Sequence, residues 1–268
     1  MVPNKIVKKF VLGSAQFGDK YGINNPYASK SKKNSFKILK YARFSGINTI
    51  DLADKYKSYK DIFSNFKLKN WKVSMKISDK IVNRYSTKHK FENFFFKTLI
   101  HLHKKKIEYI FFHNSLDLKK KNGKKIFNYL VNLKKRSLVG KIGVSIYSPK
   151  ELDKVLESFK FDVIQLPLNI FDQRFCQNKV IKKLQDKKIE VHARSIFLQG
   201  LLLSDKKKIK KKYFKNNNSL NNWFNYLKKN KKDAIAECLN FILKKKFVNK
   251  IVFGVNKLEH LKLILKKI

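Results

Sequence analysis

Cysteine is almost absent from this sequence, with Cys176 and Cys238 as the two present. Two isolated cysteines offer neither the paired spacing of zinc ligands nor a disulfide framework, so a reducing compartment is favoured. Long hydrophobic runs are absent too. The opening segment MVPNKIVKKFVLGSAQF (1–17) has too short an apolar run for a signal peptide, and no later stretch approaches the length needed to cross a membrane. The sequence therefore predicts a cytoplasmic protein without a membrane partner.

Acidic residues are scarce, and so is arginine. The 268 residues include 63 Lys and Arg against 19 Asp and Glu, which gives a formal net charge of +44. Such a charge is typical of proteins that bind nucleic acids or anionic surfaces. Nearly all of it is lysine, however, whereas dedicated nucleic-acid-binding proteins tend to use arginine for base and phosphate forks. Asn, Ile and Phe are abundant as well, and AT-rich codons encode all of these residues. We therefore interpret the charge mainly as a compositional bias.

Glycine and proline are few, and the phosphate fingerprint GxGxxG does not follow the first predicted strand, which argues against a doubly wound dinucleotide-binding sheet. Short apolar or β-branched runs instead alternate with stretches of helical period. The predicted strands are 10–15, 47–51, 72–77, 107–113, 140–145, 161–166, 189–195 and 250–255. The predicted helices are 35–45, 91–103, 123–135, 149–158, 177–186, 232–246 and 257–267.

Eight strands that alternate with helices in about 250 residues are typical of a (β/α)8 barrel. We therefore predict a single-domain α/β fold of the TIM-barrel type over residues 1–268. The segment 204–232, rich in lysine and asparagine, is predicted to be an insertion or loop after strand seven, with a short helix around Trp223 to Leu227.

Polar side chains interrupt the apolar pattern where three consecutive predicted strands end. Asp51 ends the second strand, Lys76 lies near the end of the third and His113 ends the fourth, while Tyr56 follows Asp51 by five positions. In such barrels the active site lies at the carboxyl ends of the strands. Taken singly, each residue has a structural alternative, such as a turn-capping aspartate or a hydrogen-bonded structural histidine. Their joint placement is what predicts a catalytic site.

These residue types together suit the protonation of a carbonyl oxygen. A tyrosine in water titrates near pH ~10, but a nearby ammonium favours the phenolate, and a carboxylate keeps that ammonium in place. Tyr56 beside Lys76, with Lys76 paired to Asp51, would be a tuned proton donor. His113 could hydrogen-bond the same substrate oxygen. Because no protein side chain supplies hydride, a nicotinamide cofactor is implied.

Several segments resemble the aldo-keto reductases, and the resemblance runs essentially end to end. LGSAQFGDKYG (12–22) is similar to the opening strand and glycine-containing loop of the family, and DLADKY (51–56) is similar to its Asp-x-x-x-x-Tyr element. Lys76 and His113 complete the family tetrad in order. The resemblance implies a metal-free (β/α)8 oxidoreductase that uses NADPH or NADH, with the tyrosine as general acid.

The resemblance also implies a set of cofactor-binding residues. GVSIY and IQLPLN resemble the segments that hold the nicotinamide carboxamide, RSIFLQGLL resembles the loop near the pyrophosphate, and GVNKLEHL resembles the helix start that holds the adenosine phosphate. A helix N-terminus suits an anion for electrostatic reasons. The residues implied are Ser145, Gln165, Arg194, Ser195, Gly200, Gly254, Asn256, Lys257 and His260.

The sequence departs from the family pattern at several of these positions. Ile146 replaces the usual asparagine after Ser145, and Arg194 stands where many members stack a tyrosine on the nicotinamide ring, although a guanidinium plane can stack too. His260 occupies the place of an arginine that is frequent in NADP-preferring members, and the usual Glu-Asn pair of the last helix is absent. We favour NADPH, with NADH as the alternative, because Lys257, His260 and the positive field suit an additional phosphate.

The sequence as a whole predicts an NADPH-dependent oxidoreductase that reduces an aldehyde or ketone. LGSAQFGDKYGI with RSIFLQGLL looks most like a bacterial branch found among sugar-modifying enzymes, which suggests a sugar-like small-molecule carbonyl substrate. A catalytically weak cofactor-binding regulatory barrel is the second hypothesis, motivated by Ile146. A basic nucleic-acid-binding protein is the third, motivated by the net charge.

Overall fold

The computed structural model describes residues 5–18, 22–23, 32–209 and 218–268. Its wall is a closed barrel of eight parallel strands, in which each strand pairs with its neighbour in sequence and β1 pairs with β8. The strands are β1 Phe10–Gly13, β2 Thr49–Ala53, β3 Lys72–Ile77, β4 Ile107–Phe112, β5 Val139–Ser145, β6 Val163–Pro167, β7 Glu190–Arg194 and β8 Lys250–Gly254. All eight predicted strands overlap an observed strand, so the predicted (β/α)8 fold is confirmed.

Helices cover the outside of this barrel. They are α1 Lys32–Phe44, α2 Lys57–Asp61, α3 Asp79–Arg84, α4 Lys88–His101, α5 Gly123–Lys135, α6 Pro149–Ser158, α7 Asn178–Asp186, α8 Asn218–Lys229, α9 Ala234–Leu243 and α10 Leu258–Lys266. Short 3-10 helices lie at Val7–Lys9, Ser115–Lys119, Arg174–Cys176, Leu198–Leu203 and Lys206–Lys208. No helix in the described ranges has both the length and the apolar character that crossing a membrane requires.

Strand alternation divides the core into two layers. In β4, Ile110 and Phe112 belong to the large cluster between the strands and the helices, whereas Tyr109 and Phe111 form a small cluster with Val163 of β6. Because successive side chains of a strand point to opposite faces, this second set fills the inside of the barrel. Apolar and aromatic side chains therefore close the interior, so the barrel is not an open pore.

The segment 204–232 contains more ordered structure than the sequence predicted. Helix α8 extends well beyond the short helix expected around Trp223, and Trp223 is buried with its indole N–H donating to the carbonyl of Leu202 at 3.1 Å. Apolar side chains on one face of an otherwise polar helix, here Leu220 and Trp223, are what anchor it. Residues 210–217 of this segment, and Asp19 to Tyr21 of the first loop, lie outside the described residues.

Candidate active site

A cavity of about 800 Å³ opens at the carboxyl ends of the strands. The four predicted catalytic residues all line it: Asp51, Tyr56, Lys76 and His113. Its remaining walls come mainly from the segments that follow β1, β7 and β8. This is the end of the barrel at which the fold positions functional side chains.

The carboxylate of Asp51 is buried and receives three hydrogen bonds. One oxygen pairs with the ammonium of Lys76, and the other accepts from the hydroxyl of Ser74 and the side-chain amide of Gln165, each at 3.0 Å. The parallel register explains the arrangement, because Asp51 lies opposite Ser74 and Ala53 lies opposite Lys76. Asp51 and Lys76 are 2% and 4% exposed, so the pair is held away from water. Burial of the carboxylate is tolerated because both of its oxygens accept hydrogen bonds and one of them pairs with an ammonium.

Burial changes the protonation behaviour of two of these residues. Burial lowers the pKa of the Lys76 ammonium, and the charge of Asp51 opposes that shift. Burial, together with the positive charges of Lys76, Lys55 and Arg194, lowers the pKa of His113 to about 2. His113 is therefore a neutral imidazole near neutral pH, with one N–H to donate. Its Nδ1 atom is buried and has no hydrogen-bond partner among the described residues.

Tyr56 lies against both His113 and Lys76. The rings of Tyr56 and His113 meet edge to face with centroids 5.9 Å apart, and Lys76 Nζ lies 5.7 Å from the centre of the Tyr56 ring. Tyr56 is the N-cap residue of α2 and has an extended backbone, which turns the chain from the end of β2 into that helix. The residues that the sequence predicted from strand ends are thus neighbours in space.

Most of the predicted cofactor-binding residues line the same cavity. These are Ser145, Gln165, Arg194, Ser195, Gly200, Gly254, Asn256 and His260. Lys257 is not among the described residues that line it; instead, it is the N-cap residue of α10, three positions before His260.

Gln165 links the predicted cofactor-binding residues to the predicted catalytic residues. Its amide nitrogen donates to Asp51, and its amide oxygen accepts from the hydroxyl of Ser145 at 3.4 Å. A continuous hydrogen-bonded chain therefore runs from Ser145 through Gln165 to Asp51 and Lys76. Ser74 is the remaining hydrogen-bond donor to the Asp51 carboxylate. The sequence did not single it out, because a serine inside a strand gives no distinguishing signal.

The cavity wall includes the glycines Gly13, Gly200 and Gly254. Gly13 and Gly254 lie opposite each other in the β1–β8 register, and Gly200 has φ +88° with no atom within 4 Å of the place where a Cβ would be. A Cβ on Gly254 would overlap the side-chain oxygen of Gln16, which is buried and has no partner among the described residues. Open backbone and an unsatisfied amide oxygen are features of a wall that a ligand approaches closely. The residues present therefore fit a polar, extended cofactor.

Arg194 is stacked on Tyr147, a residue that sequence reasoning missed. The guanidinium carbon lies 4.3 Å from the centre of the Tyr147 ring. The guanidinium also donates to the hydroxyl of Ser195 at 3.3 Å and to the carbonyl of Ile146 at 3.5 Å. Ile146 is fully buried and contributes only its backbone carbonyl to this contact.

Asn169 supports the neighbouring turn from outside the cavity. Its amide nitrogen donates to the carbonyl of Ser195 at 3.1 Å, and its amide oxygen accepts from the backbone N–H groups of Phe171 and Asp172, each at 2.9 Å. Ser195 has φ 59°, a left-handed conformation that costs free energy in a residue other than glycine. The asparagine thus holds the start of the loop after β7 in place.

Comparison with known proteins agrees with this geometry. Residues 9–268 match the family model described as "Aldo/keto reductase family". The chain belongs to the aldo/keto reductase family. Family members are oxidoreductases that use NAD(P)H and act on small carbonyl substrates, so this protein is an oxidoreductase of that type. Within the described residues, no group of His, Cys, Asp and Glu side chains could hold a metal ion.

Solved structures share the fold at low sequence identity. A protein of Pseudomonas aeruginosa assigned to the aldo-keto reductases is 16% identical, with a TM-score of 0.67 over 97% of this chain and 88% of that one. The glycerol dehydrogenase AKR11B4 from Gluconobacter oxydans is 19% identical, with a TM-score of 0.70 over 97% and 86% of the two chains. At these identities the likeness shows the fold alone. No curated protein matches the chain by sequence.

Proposed function

We propose that this protein reduces an aldehyde or ketone to the alcohol with NADPH, with Tyr56 as the general acid. The observation that carries the proposal is the Tyr56 phenol at the cavity wall, packed beside the buried Lys76–Asp51 ion pair. The glycerol dehydrogenase among the structural neighbours supports a hydroxylated, sugar-like carbonyl as substrate.

In this mechanism Tyr56 gives its proton to the carbonyl oxygen as that oxygen gains negative charge. The Lys76 ammonium stabilises the phenolate that remains, and Asp51 keeps the ammonium charged and oriented. His113, neutral at the pH of the reaction, donates its N–H to the same carbonyl oxygen. When bound, the reduced nicotinamide supplies hydride to the carbonyl carbon.

The residues that would hold the nicotinamide end are Ser145 and Gln165, whose side chains already form one hydrogen-bonded chain with Asp51. Gly200, whose backbone is open, and Gly254 would lie beside the phosphates. Asn256 and His260, with Lys257, would hold the adenosine phosphate at the N-terminus of α10.

Replacement of Tyr56 by phenylalanine tests the assignment. Because general acid catalysis contributes about 10²- to 10⁴-fold, Tyr56→Phe should lower kcat by at least about 100-fold and leave the Kd for NADPH nearly unchanged. Tyr59→Phe is the matched control, since Tyr59 lies in α2 and donates to Thr98 at 3.3 Å. Full turnover by the Tyr56→Phe variant across a carbonyl panel would reject Tyr56 as the acid.

Cofactor preference is tested by ligand-induced stabilisation. At equal concentrations NADPH should raise the Tm more than NADH, because tighter binding to the native state stabilises it more. The combined variant Lys257→Gln, His260→Gln should remove most of that difference. Lys266→Gln, an exposed change at the other end of α10, should leave it unchanged. Equal shifts for the two cofactors in the unmodified protein would contradict the NADPH preference.

A further inference from the structure

The active-site cavity carries two cationic side chains that have no carboxylate partner in the described part of the chain. Asp51 is the one acidic residue among those that line it, and Lys76 already neutralises it. Lys55 and Arg194 also line the cavity, and neither forms an ion pair with a described acidic residue. The cavity thus presents an excess of positive charge where a substrate must enter.

The guanidinium of Arg194 is held in place and keeps donors to spare. The guanidinium lies over the Tyr147 ring, and its two hydrogen bonds, at 3.3 and 3.5 Å to Ser195 and Ile146, are longer than the usual range of about 2.7–3.2 Å. A guanidinium has five N–H donors in a rigid fork that matches a carboxylate or phosphate. Pre-organisation of this kind lowers the entropy cost of binding an anion.

These two cations lie near the predicted catalytic residues. The charges of Arg194 and Lys55 both lower the pKa of Lys76 and of His113. Lys55 immediately precedes Tyr56 in the chain, and Tyr147 follows β5, whose last residue is Ser145. The excess positive charge is therefore at the end of the cavity where the carbonyl would react.

We propose that the substrate carries an anionic group, a carboxylate or a phosphate, close to its reactive carbonyl, and that Arg194 binds it together with Lys55. The inference rests on the proposed function and narrows its substrate class. Charge-assisted, bidentate hydrogen bonds in a partly dry cavity discriminate strongly between an anion and a neutral group of the same shape. Arg194 thus acts as a specificity-determining residue.

Pairs of substrates with and without an anionic group test the proposal. 4-Carboxybenzaldehyde is compared with 4-carbamoylbenzaldehyde for the carboxylate, and glyceraldehyde 3-phosphate with glyceraldehyde for the phosphate. We expect kcat/KM to favour the anionic member of at least one pair by about 10-fold or more, and the pair that shows the preference identifies the anion. Arg194→Gln should bring this ratio close to 1, and Arg194→Lys should restore part of it. Lys60→Gln, an exposed change in α2 outside the cavity, should leave the ratio unchanged.

Two outcomes of this experiment overturn the proposal while leaving the proposed function intact. One is turnover of the neutral aldehydes at rates equal to those of the anionic ones. The other is a weaker Kd for NADPH in Arg194→Gln with an unchanged substrate ratio, which would assign the arginine to the cofactor alone.

If no aldehyde is turned over, the proposed function fails, and the anion site is then decided by binding. Benzoate, compared with benzamide, should raise the Tm of the protein in the presence of NADP⁺, and Arg194→Gln should abolish that difference. Glycerol 3-phosphate, compared with glycerol, is the equivalent pair for a phosphate. Absence of the difference in both pairs in the unmodified protein would overturn the proposal on its own.

Discussion

At the scale of single residues, the positions of the predicted catalytic side chains depend on the hydrogen bonds that the Asp51 carboxylate accepts. Two of its partners, Ser74 and Gln165, are neutral donors, and the third is the buried ammonium of Lys76. The neutral donors fix the direction of the carboxylate, and the carboxylate in turn fixes Lys76 beside Tyr56. Asp51 is thus proposed to act on the reaction through Lys76 and not by contact with the substrate.

Replacement of Asp51 by asparagine should therefore cost both stability and activity. The change leaves the Lys76 charge buried without a counter-charge, and breaking a buried pair in this way costs about 3–5 kcal/mol in the free energy of unfolding. The pKa of Lys76, already lowered by burial, should fall further, so kcat should drop as well. Urea unfolding and steady-state kinetics measure the two effects. Ser74→Ala, which removes one neutral donor, is the control and should cost far less; equal losses in the two variants would contradict the role of the ion pair.

Which residues could be predicted from the sequence follows from the kind of signal each one gives. Asp51, Lys76 and His113 were recognisable because a charged or titratable side chain at the end of an apolar strand is conspicuous. Gln16 and Tyr147 gave no such signal, since glutamine and tyrosine are ordinary in loops. Their placement depends on strand register and on the path of the loops, which a local pattern does not encode.

At the scale of secondary structure, the strands tolerate little added volume inside the barrel. Gly143 of β5 lies against the Phe111 ring, and a Cβ there would stand 2.6 Å from that ring and 2.6 Å from the carbonyl of Val163. Because one neighbour is backbone, rotation of a side chain cannot relieve the overlap.

Gly143→Ala should therefore destabilise the protein by about 1–3 kcal/mol or more, through overpacking. Gly13→Ala in β1 is the matched control, because the nearest atom to its added Cβ is the Phe253 carbonyl oxygen at 3.3 Å. Urea unfolding of the two variants measures the difference. A Gly143→Ala protein as stable as Gly13→Ala would show that β5 shifts to accept the methyl group.

The strands and the long helices could be predicted from the sequence, whereas short helices could not and a polar helix could be predicted only in part. The reason is physical. Helices such as α5 and α6 repeat an apolar face over several turns, and every strand contains buried apolar residues. Helices α2 and α3 have five and six residues, too few to show a period. Helix α8 was predicted only in part, around Trp223 to Leu227, because asparagines and lysines surround its buried residues Leu220 and Trp223.

At the scale of the whole molecule, the excess of lysine is confined to the outside. Although the sequence holds 63 basic residues, Lys76 is the one lysine that is buried in the described part of the chain, and no arginine is buried there. Compositional bias can add lysine freely to a solvated surface but not to a packed interior, where an unpaired charge is costly. The burial of Lys76 beside Asp51 is therefore a stronger sign of function than any of the exposed lysine runs.

Buried histidines should make the folded protein sensitive to mild acid. Burial lowers the pKa of His113 to about 2. Burial also lowers the pKa of His192, a fully buried residue of β7 whose Nε2 lies 2.9 Å from a carboxylate oxygen of Glu190. A histidine whose pKa is lower in the folded state takes up its proton preferentially on unfolding. Its contribution to the free energy of unfolding is therefore complete at pH values above its pKa in the unfolded chain, which is ~6.5, and is lost as the pH falls below that value. Each such histidine steepens the fall in the free energy of unfolding by at most about 1.4 kcal/mol per pH unit.

The free energy of unfolding should therefore decline between pH 7 and pH 5, as measured by urea unfolding. This pH range lies above the ordinary pKa values of carboxyl groups. His113→Gln and His192→Gln should each make the decline shallower, even where the substitution lowers stability at pH 7, because the slope reports protons and not packing. Leu116→Gln, an exposed change that removes no titratable group, is the control for substitution itself and should leave the slope unchanged. If the slope in the His113→Gln protein equals that of the unmodified protein, the pKa of His113 is the same in the folded and unfolded states, which contradicts its lowering by burial.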